Sequence, residues 1–307
     1  MTIGAVFPGQ GAQSVGMLAE LAQKYKSVGE RFAEASEALG FDMWAMVQNG
    51  PAEDLSATQN TQPILLTSSI AVWDVWQAQA DAPAFVAGHS LGEYSALCAA
   101  GSIGFAEGVR LVRLRGELME KATPRGLGAM AAVMGLDDDA VKLCCSETEG
   151  VVVAANFNAP GQVVIAGEAE AVEAAAQQCK SAGAKRAVLL DVSGPFHSPL
   201  MAVAKNDFAE ALDGLELQMP NVPIVQNVNA TVPNSLQELR ENLLAQIAEP
   251  VLWSRCIATM LDRGVDRFVE VGPGNILAGL IRRISKGTTT QGLGTPDGVE
   301  AAVTTGE

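Results

Sequence analysis

Hydrophobic positions along this chain follow two different periods. Short apolar runs at 3–7 and 83–87, and mixed stretches rich in Val, Ile and Phe at 223–227 and 265–271, are bounded by Gly, Pro or Asn, which predicts strands. Between them apolar residues recur every three or four positions. This predicts helices at 17–25 and 28–39, where Val28, Phe32, Ala35 and Leu39 share a face, and at 61–79, where Ile64, Leu65, Val72 and Trp76 do. A further helix is expected from the Gly-rich turn after residue 87 to about residue 122. Others follow at about 199–212, after the Ser235-x-x-Glu238 capping box, at 254–263 with a stop at Gly264, and after Gly272-Pro273-Gly274-Asn275 to about residue 285. Alternating strands and helices of this kind imply a mainly parallel α/β sheet.

Residues 126–193 have another rhythm. Strands are expected at 129–134, 151–156, 162–166 and 187–192. One helix is capped by Asp137 and runs to about residue 146, and another spans 168–182. The order βαββαβ is that of a split, ferredoxin-like unit, inserted between 1–125 and 194–307 as a small subdomain. The Gly/Thr-rich tail from Gly287 leaves two readings open: disorder, or a short edge strand near Thr290 followed by a helical turn set near Val299.

Composition narrows the function classes. A formal charge of −15 lacks the basic footprint of a nucleic-acid binder, and no apolar run reaches the ~18 residues of a membrane span. No signal-peptide pattern opens the sequence. Cys98, Cys144, Cys145, Cys179 and Cys256 are odd in number and lack metal-ligand spacing, so free thiols in a reducing cytoplasm are expected. Three basic clusters interrupt the acidic chain: Arg110, Arg113, Arg115, Lys121 and Arg125; Lys180, Lys185 and Arg186; Arg282, Arg283 and Lys286.

Chemistry concentrates at Gly88-His89-Ser90-Leu91-Gly92, a G-x-S-x-G run lying between a strand and a helix. Such a turn lifts a serine hydroxyl above the sheet edge, at a helix N-terminus able to bind an oxyanion. The chain has two histidines. His89 leaves the turn in another direction, which makes His197, in Ser193-Gly194-Pro195-Phe196-His197-Ser198, the candidate base. Either an acid such as Asp191 or a backbone carbonyl could orient it. The loop Gly9-Gln10-Gly11-Ala12-Gln13 lacks the Lys of a phosphate loop and better suits a second oxyanion donor beside Ser90.

Several runs together closely resemble the malonyl-CoA:acyl carrier protein transacylases. They are Phe7-Pro8-Gly9-Gln10-Gly11-Ala12-Gln13, Thr61-Gln62-Pro63, Gly88-His89-Ser90-Leu91-Gly92-Glu93-Tyr94-Ser95-Ala96, Asn156-Phe157-Asn158-Ala159-Pro160-Gly161-Gln162, Gly194-Pro195-Phe196-His197-Ser198 and Glu270-Val271-Gly272-Pro273-Gly274. The resemblance implies an α/β-hydrolase-like core carrying the ferredoxin-like insert. It makes Ser90 the acyl-accepting nucleophile, His197 its base, and the Gln10 and Leu91 N–H groups the oxyanion hole. Arg115 would pair with a substrate carboxylate. Phe196 would shape the acyl pocket for malonyl rather than a branched group, and the backbone carbonyl of Leu252 would orient His197. The implied reaction carries malonyl from coenzyme A to the phosphopantetheine thiol of acyl carrier protein, a transient partner. The protein would have no bound cofactor or metal and act as a monomer. A serine esterase or thioesterase, or a transacylase for another acyl-CoA, is the alternative.

Overall fold

The computed structural model describes residues 1–124 and 126–304. Its first part comprises β1 (Ile3–Phe7), α1 (Ala19–Lys24), α2 (Lys26–Leu39), α3 (Met43–Asn49), α4 (Ala52–Ser56), α5 (Thr58–Gln77), β2 (Phe85–Gly88), α6 (Gly92–Ala99) and α7 (Phe105–Ala122). The middle holds β3 (Gly128–Met134), α8 (Asp138–Glu147), β4 (Val152–Ala159), β5 (Gln162–Glu168), α9 (Ala169–Ser181) and β6 (Arg186–Leu189). A 3-10 helix at Pro199–Val203 then leads into α10 (Ala204–Asp213), α11 (Leu236–Ala245), α12 (Trp253–Asp262), β7 (Arg267–Glu270), α13 (Ile276–Ile284), β8 (Thr289–Gly292) and α14 (Pro296–Thr304).

This is an α/β protein with two sheets. One is parallel, in the order β2-β1-β7-β8, and the other is antiparallel, in the order β4-β5-β3-β6. Strands β1, β2 and β7 of the parallel sheet are buried on both faces, their alternate residues pointing to opposite sides. Ala5, Phe7, Val86 and Val269 face the large core with α5, whereas Val6, Ala87 and Phe268 face a second core with α12 and α13. Helix α5 is buried around almost its whole circumference, which is why its sequence lacks a polar stripe.

The antiparallel sheet is also double-sided. Ala131, Val133, Val163 and Ile165 pack under α8 and α9, while Met130, Val164 and Ala166 belong to the large core. Residues 126–193 are therefore fastened to the parallel layer by their inner face. The cap expected at Asp137 is present, its side chain accepting from Ala140 N–H at 2.9 Å.

Several elements depart from the sequence reading. The single helix expected up to residue 122 is two, α6 and α7, separated where Gly101 takes a φ of +71°. The strand expected at 223–227 makes one parallel bridge, Val86 to Ile224. It then turns away so that Gln226 and Asn227 enter a buried polar cluster. Helices α3 and α4 are too short to show a periodic stripe, although Asp42 caps α3 by accepting from Ala45 N–H. At the C-terminal end, order replaces the open choice: β8 pairs with β7 and α14 follows it.

Two glycines bring the β1 and β2 ends together. A Cβ on Gly88 would lie 1.8 Å from the Gly92 carbonyl carbon, and one on Gly92 would lie 2.0 Å from the Phe7 carbonyl oxygen. Both obstacles are backbone and cannot swing aside. Gly92→Ala is expected to destabilise the protein by at least ~3 kcal/mol, because the overlap is relieved only by parting β1 from the turn. A denaturant melt showing a loss below ~1 kcal/mol would contradict this.

Candidate active site

The turn between β2 and α6 places Ser90 in the left-handed region, with φ +53°. An L-residue there is strained by about 1–3 kcal/mol unless its surroundings over-determine it. The bracing is visible. His89 N–H donates to Phe7 O at 3.0 Å, and Ser90 N–H donates to Asn227 Oδ1 at 2.8 Å. Asn227 Nδ2 in turn donates to Gly88 O at 2.7 Å, so one amide spans the turn.

His197 is 3% exposed and meets Ser90 Oγ through Nε2 at 2.7 Å. Its Nδ1 lies 2.8 Å from the backbone carbonyl of Gln246. A carbonyl can only accept, so Nδ1 carries the proton and Nε2 is left to accept from the serine. Burial, with the adjacent Arg115 charge, pushes the imidazole down to about 3, which keeps it neutral in the resting site. The backbone-carbonyl arrangement is the one present. Asp191 is exposed. The carbonyl does not belong to Leu252, and that expectation is corrected here. Leu252 O accepts the N–H groups of Arg255 and Cys256, opening α12, and so has no free direction toward His197.

Arg115, on α7, is 1% exposed. Its Nη1 donates to Gln62 Oε1 at 2.8 Å and its Nη2 to Gln246 Oε1 at 3.0 Å. Nη2 is also 3.3 Å from Ser90 Oγ, and Nε has no partner among the described residues. The guanidinium lies over the Tyr94 ring, 5.1 Å from its centroid. Burial lowers its pKa. The structure thus brings Ser90, His197 and Arg115 to one point. Of the rest of that basic cluster, Arg113 is turned to Glu117 and Asn60, and Arg125 lies outside the described residues.

The loop after β1 meets the turn. A Cβ on Gly9 would lie 2.5 Å from His89 O. The Gln10 side chain donates to Thr58 Oγ1 at 3.3 Å, and that hydroxyl is 2.7 Å from Ser193 Oγ on the approach to His197. No acceptor among the described residues takes the backbone N–H of Gln10 or of Leu91. Phe196 is buried in the large core with its ring against Gly194. His89 turns away from the nucleophile, as expected, its Nε2 2.7 Å from Asn158 Oδ1 on β4.

Three residues of this site were not singled out from sequence. Gln246 follows Leu239 and Leu243 at helical spacing, so it extends their apolar stripe as a buried amide. Asn227 ends an apolar run. Glu93, in the first turn of α6, is fully buried, and burial raises its carboxyl to about 7. A polar side chain on an apolar stripe was the available signal for Gln246. Chemically, the arrangement can activate a hydroxyl, hold an anion beside it, and offer N–H donors to an oxyanion. Among the described residues no group of three His, Cys, Asp or Glu is arranged to hold a metal.

Comparison with known proteins is consistent along the whole chain. A family model described as an acyl transferase domain matches residues 5–296. The malonyl CoA-acyl carrier protein transacylase of Salmonella typhimurium is 51% identical over 302 residues, spanning 97% of this chain and 98% of that protein. Its namesake from Bacillus subtilis is 42% identical over 306 residues, spanning 99% and 96%. Among solved structures, a type II PKS acyl-carrier protein in complex with its malonyl-transacylase matches with a TM-score of 0.98 at 45% identity, covering 99% of this chain and 100% of that one. An acyl carrier protein S-malonyltransferase from Vibrio cholerae matches with a TM-score of 0.96 at 47% identity, covering 98% and 100%.

The buried neutral imidazole has a consequence for stability. The unfolded chain protonates His197 near the ordinary value of 6.5, whereas the folded chain does so only near 3. Its contribution is therefore intact above about pH 6.5 and is lost as pH falls below it. The stability gap between wild type and His197→Asn should shrink by about 2 kcal/mol between pH 7.5 and pH 5. Denaturant melts at the two pH values would measure it, and a gap that widens in acid would contradict a neutral His197.

Proposed function

The chain belongs to the acyl transferase domain family, and on that premise we propose that it moves malonyl from coenzyme A to the phosphopantetheine thiol of acyl carrier protein for fatty acid synthesis. The observation that carries this reading is a buried guanidinium 3.3 Å from a nucleophile that is already paired with a neutral imidazole. An acyl group with a free carboxylate satisfies that charge, and one without it leaves the cation unpaired.

The reaction runs in two halves. The substrate carboxylate seats against Arg115 and brings the thioester carbonyl to Ser90 Oγ. As Oγ attacks, its proton passes to His197 Nε2, and the oxyanion is received by the N–H groups of Gln10 and Leu91. Collapse breaks the C–S bond, and the imidazolium returns the proton to the departing coenzyme A thiolate. The malonyl-serine ester then takes the reverse course with the carrier thiol, which loses its proton to His197 and regenerates Ser90. The carboxylate also offsets the cation that depresses His197, so the base strengthens as the correct substrate binds. Phe196 closes the acyl end of the pocket. No step calls for a cofactor or metal beyond the two thiol-bearing reactants.

We read the framework as an α/β-hydrolase-like core, 1–125 and 194–307, with a ferredoxin-like subdomain at 126–193. The strand order β4-β5-β3-β6 and the βαββαβ connectivity support the second part. Five free thiols support a cytoplasmic setting.

The test is acyl-enzyme formation with radiolabelled malonyl-CoA and acetyl-CoA, followed by transfer to the holo carrier. Malonyl should be trapped on Ser90 and leave to the carrier thiol faster than to water. Arg115→Ala should lower malonyl kcat/KM by roughly 10²–10⁴ and acetyl kcat/KM far less. An unchanged malonyl preference in that variant would show that Arg115 does not read the carboxylate, and faster release to water would favour a thioesterase.

A further inference from the structure

Beneath the nucleophile lies a carboxylate that the reaction above does not use. Glu93 is fully buried, and three donors converge on it. Oε2 accepts from Asn227 N–H and from Gln246 Nε2, each at 2.9 Å, and Oε1 accepts from Gln226 Nε2 at 3.1 Å. Gln226 cannot readily reverse its amide, because its own Oε1 accepts from Asn242 Nδ2 at 2.8 Å. All three partners of the carboxylate are thus donors. These donors favour the ionised form, which can only accept; burial opposes them and raises the carboxyl to about 7, so the acceptor-only form prevails above neutral pH.

The consequence falls on Gln246. Its Nε2 donates to Glu93 Oε2 and, at 3.1 Å, to the Ser90 carbonyl, so its Oε1 faces Arg115 Nη2 at 3.0 Å. The reversed amide would set two donors against each other at the guanidinium and leave an acceptor facing the carboxylate. The same residue's peptide carbonyl holds His197. We propose that Glu93 is a positioning residue that fixes the amide of Gln246 and thereby aims Arg115, so that acyl-group selectivity is set from below the nucleophile. This rests on the reading that Arg115 receives the substrate carboxylate. Selectivity and base orientation leave Gln246 by separate groups, the amide and the peptide carbonyl, so the two can be separated by substitution.

The experiment measures kcat/KM for malonyl-CoA and acetyl-CoA at pH 8, with holo carrier protein as acceptor, in wild type, Glu93→Gln, Gln246→Met and the double variant. Gln246→Met keeps the carbonyl and loses the amide. Each single variant should lower the malonyl-to-acetyl ratio about tenfold or more, and the double should fall no further than the worse single. A purely structural role would depress both substrates together. Should Glu93→Gln fail to fold, Glu93→Asp keeps an acceptor-only group and should hold the ratio within about threefold of wild type while Gln246→Met loses it. Wild-type protein with no malonyl preference overturns the functional reading itself. A preference that survives in Glu93→Gln, or in Gln246→Met, overturns this inference alone, as does additivity in the double variant.

Discussion

A guanidinium buried beside Ser90 is the constraint around which the rest of this site is arranged. Taking a cation out of water costs several kcal/mol unless polar groups replace its hydration. Arg115 finds those groups on three chain segments: Gln62 on α5, Tyr94 on α6, and Gln246 just beyond α11, with Glu93, also on α6, behind Gln246. Each of those positions would otherwise be apolar, since every one is in the interior. Burial, with this charge beside it, keeps His197 from holding a proton at rest, which leaves Nε2 free to accept one from Ser90. Removing the cation would relieve the desolvation cost and remove the reason for most of the buried amides.

The second constraint is steric. The two paired side chains sit on residues with positive φ, Ser90 at +53° and His197 at +59°. Neither is glycine, so each conformation has to be held by its neighbours. At Ser90 the holding is done by close backbone approach through Gly88 and Gly92 and by Asn227 across the turn. At His197 it is done by the Gln246 carbonyl and by burial of Phe196 on one side and Ser198 on the other, whose Oγ donates to Pro195 O at 2.6 Å. Rigid supports of this kind keep the 2.7 Å serine–histidine contact without help from substrate.

Sequence made legible whatever depends on local pattern. The strand-to-helix serine turn, the long helix α5, the Asp137 cap and the strand order of 126–193 follow from periodicity and from a few special residues. The family resemblance brought Ser90, His197 and Arg115 together before any coordinates did, and they meet within hydrogen-bonding reach. The carbonyl that orients His197 was misplaced onto Leu252 because a backbone acceptor carries no side-chain signature. What excludes Leu252 is its engagement at the start of α12, a fact of helix geometry. Asn227, Glu93 and Gln246 escaped because they act through contacts more than a hundred residues apart in sequence.

The antiparallel sheet stands in a closer relation to the site than an appended layer would. Its inner face, Met130, Val164 and Ala166, is continuous with the core beneath α5 and α7. Its strand β4 reaches the turn through Asn158, which holds His89, and bridges Val251 through Asn156, in the segment that leads from Gln246 into α12. The segment leaving β6 carries Ser193, tied to Thr58, and then His197 itself. Ser90, His197 and the Gln246 carbonyl therefore come from three chain segments, and the antiparallel sheet is attached to each. A shift of about 1 Å in its seating would move the imidazole out of line with Ser90 Oγ, an error that typically costs ~10²-fold in rate. The seating of that sheet thus bears on the Ser90–His197 geometry from outside the pair.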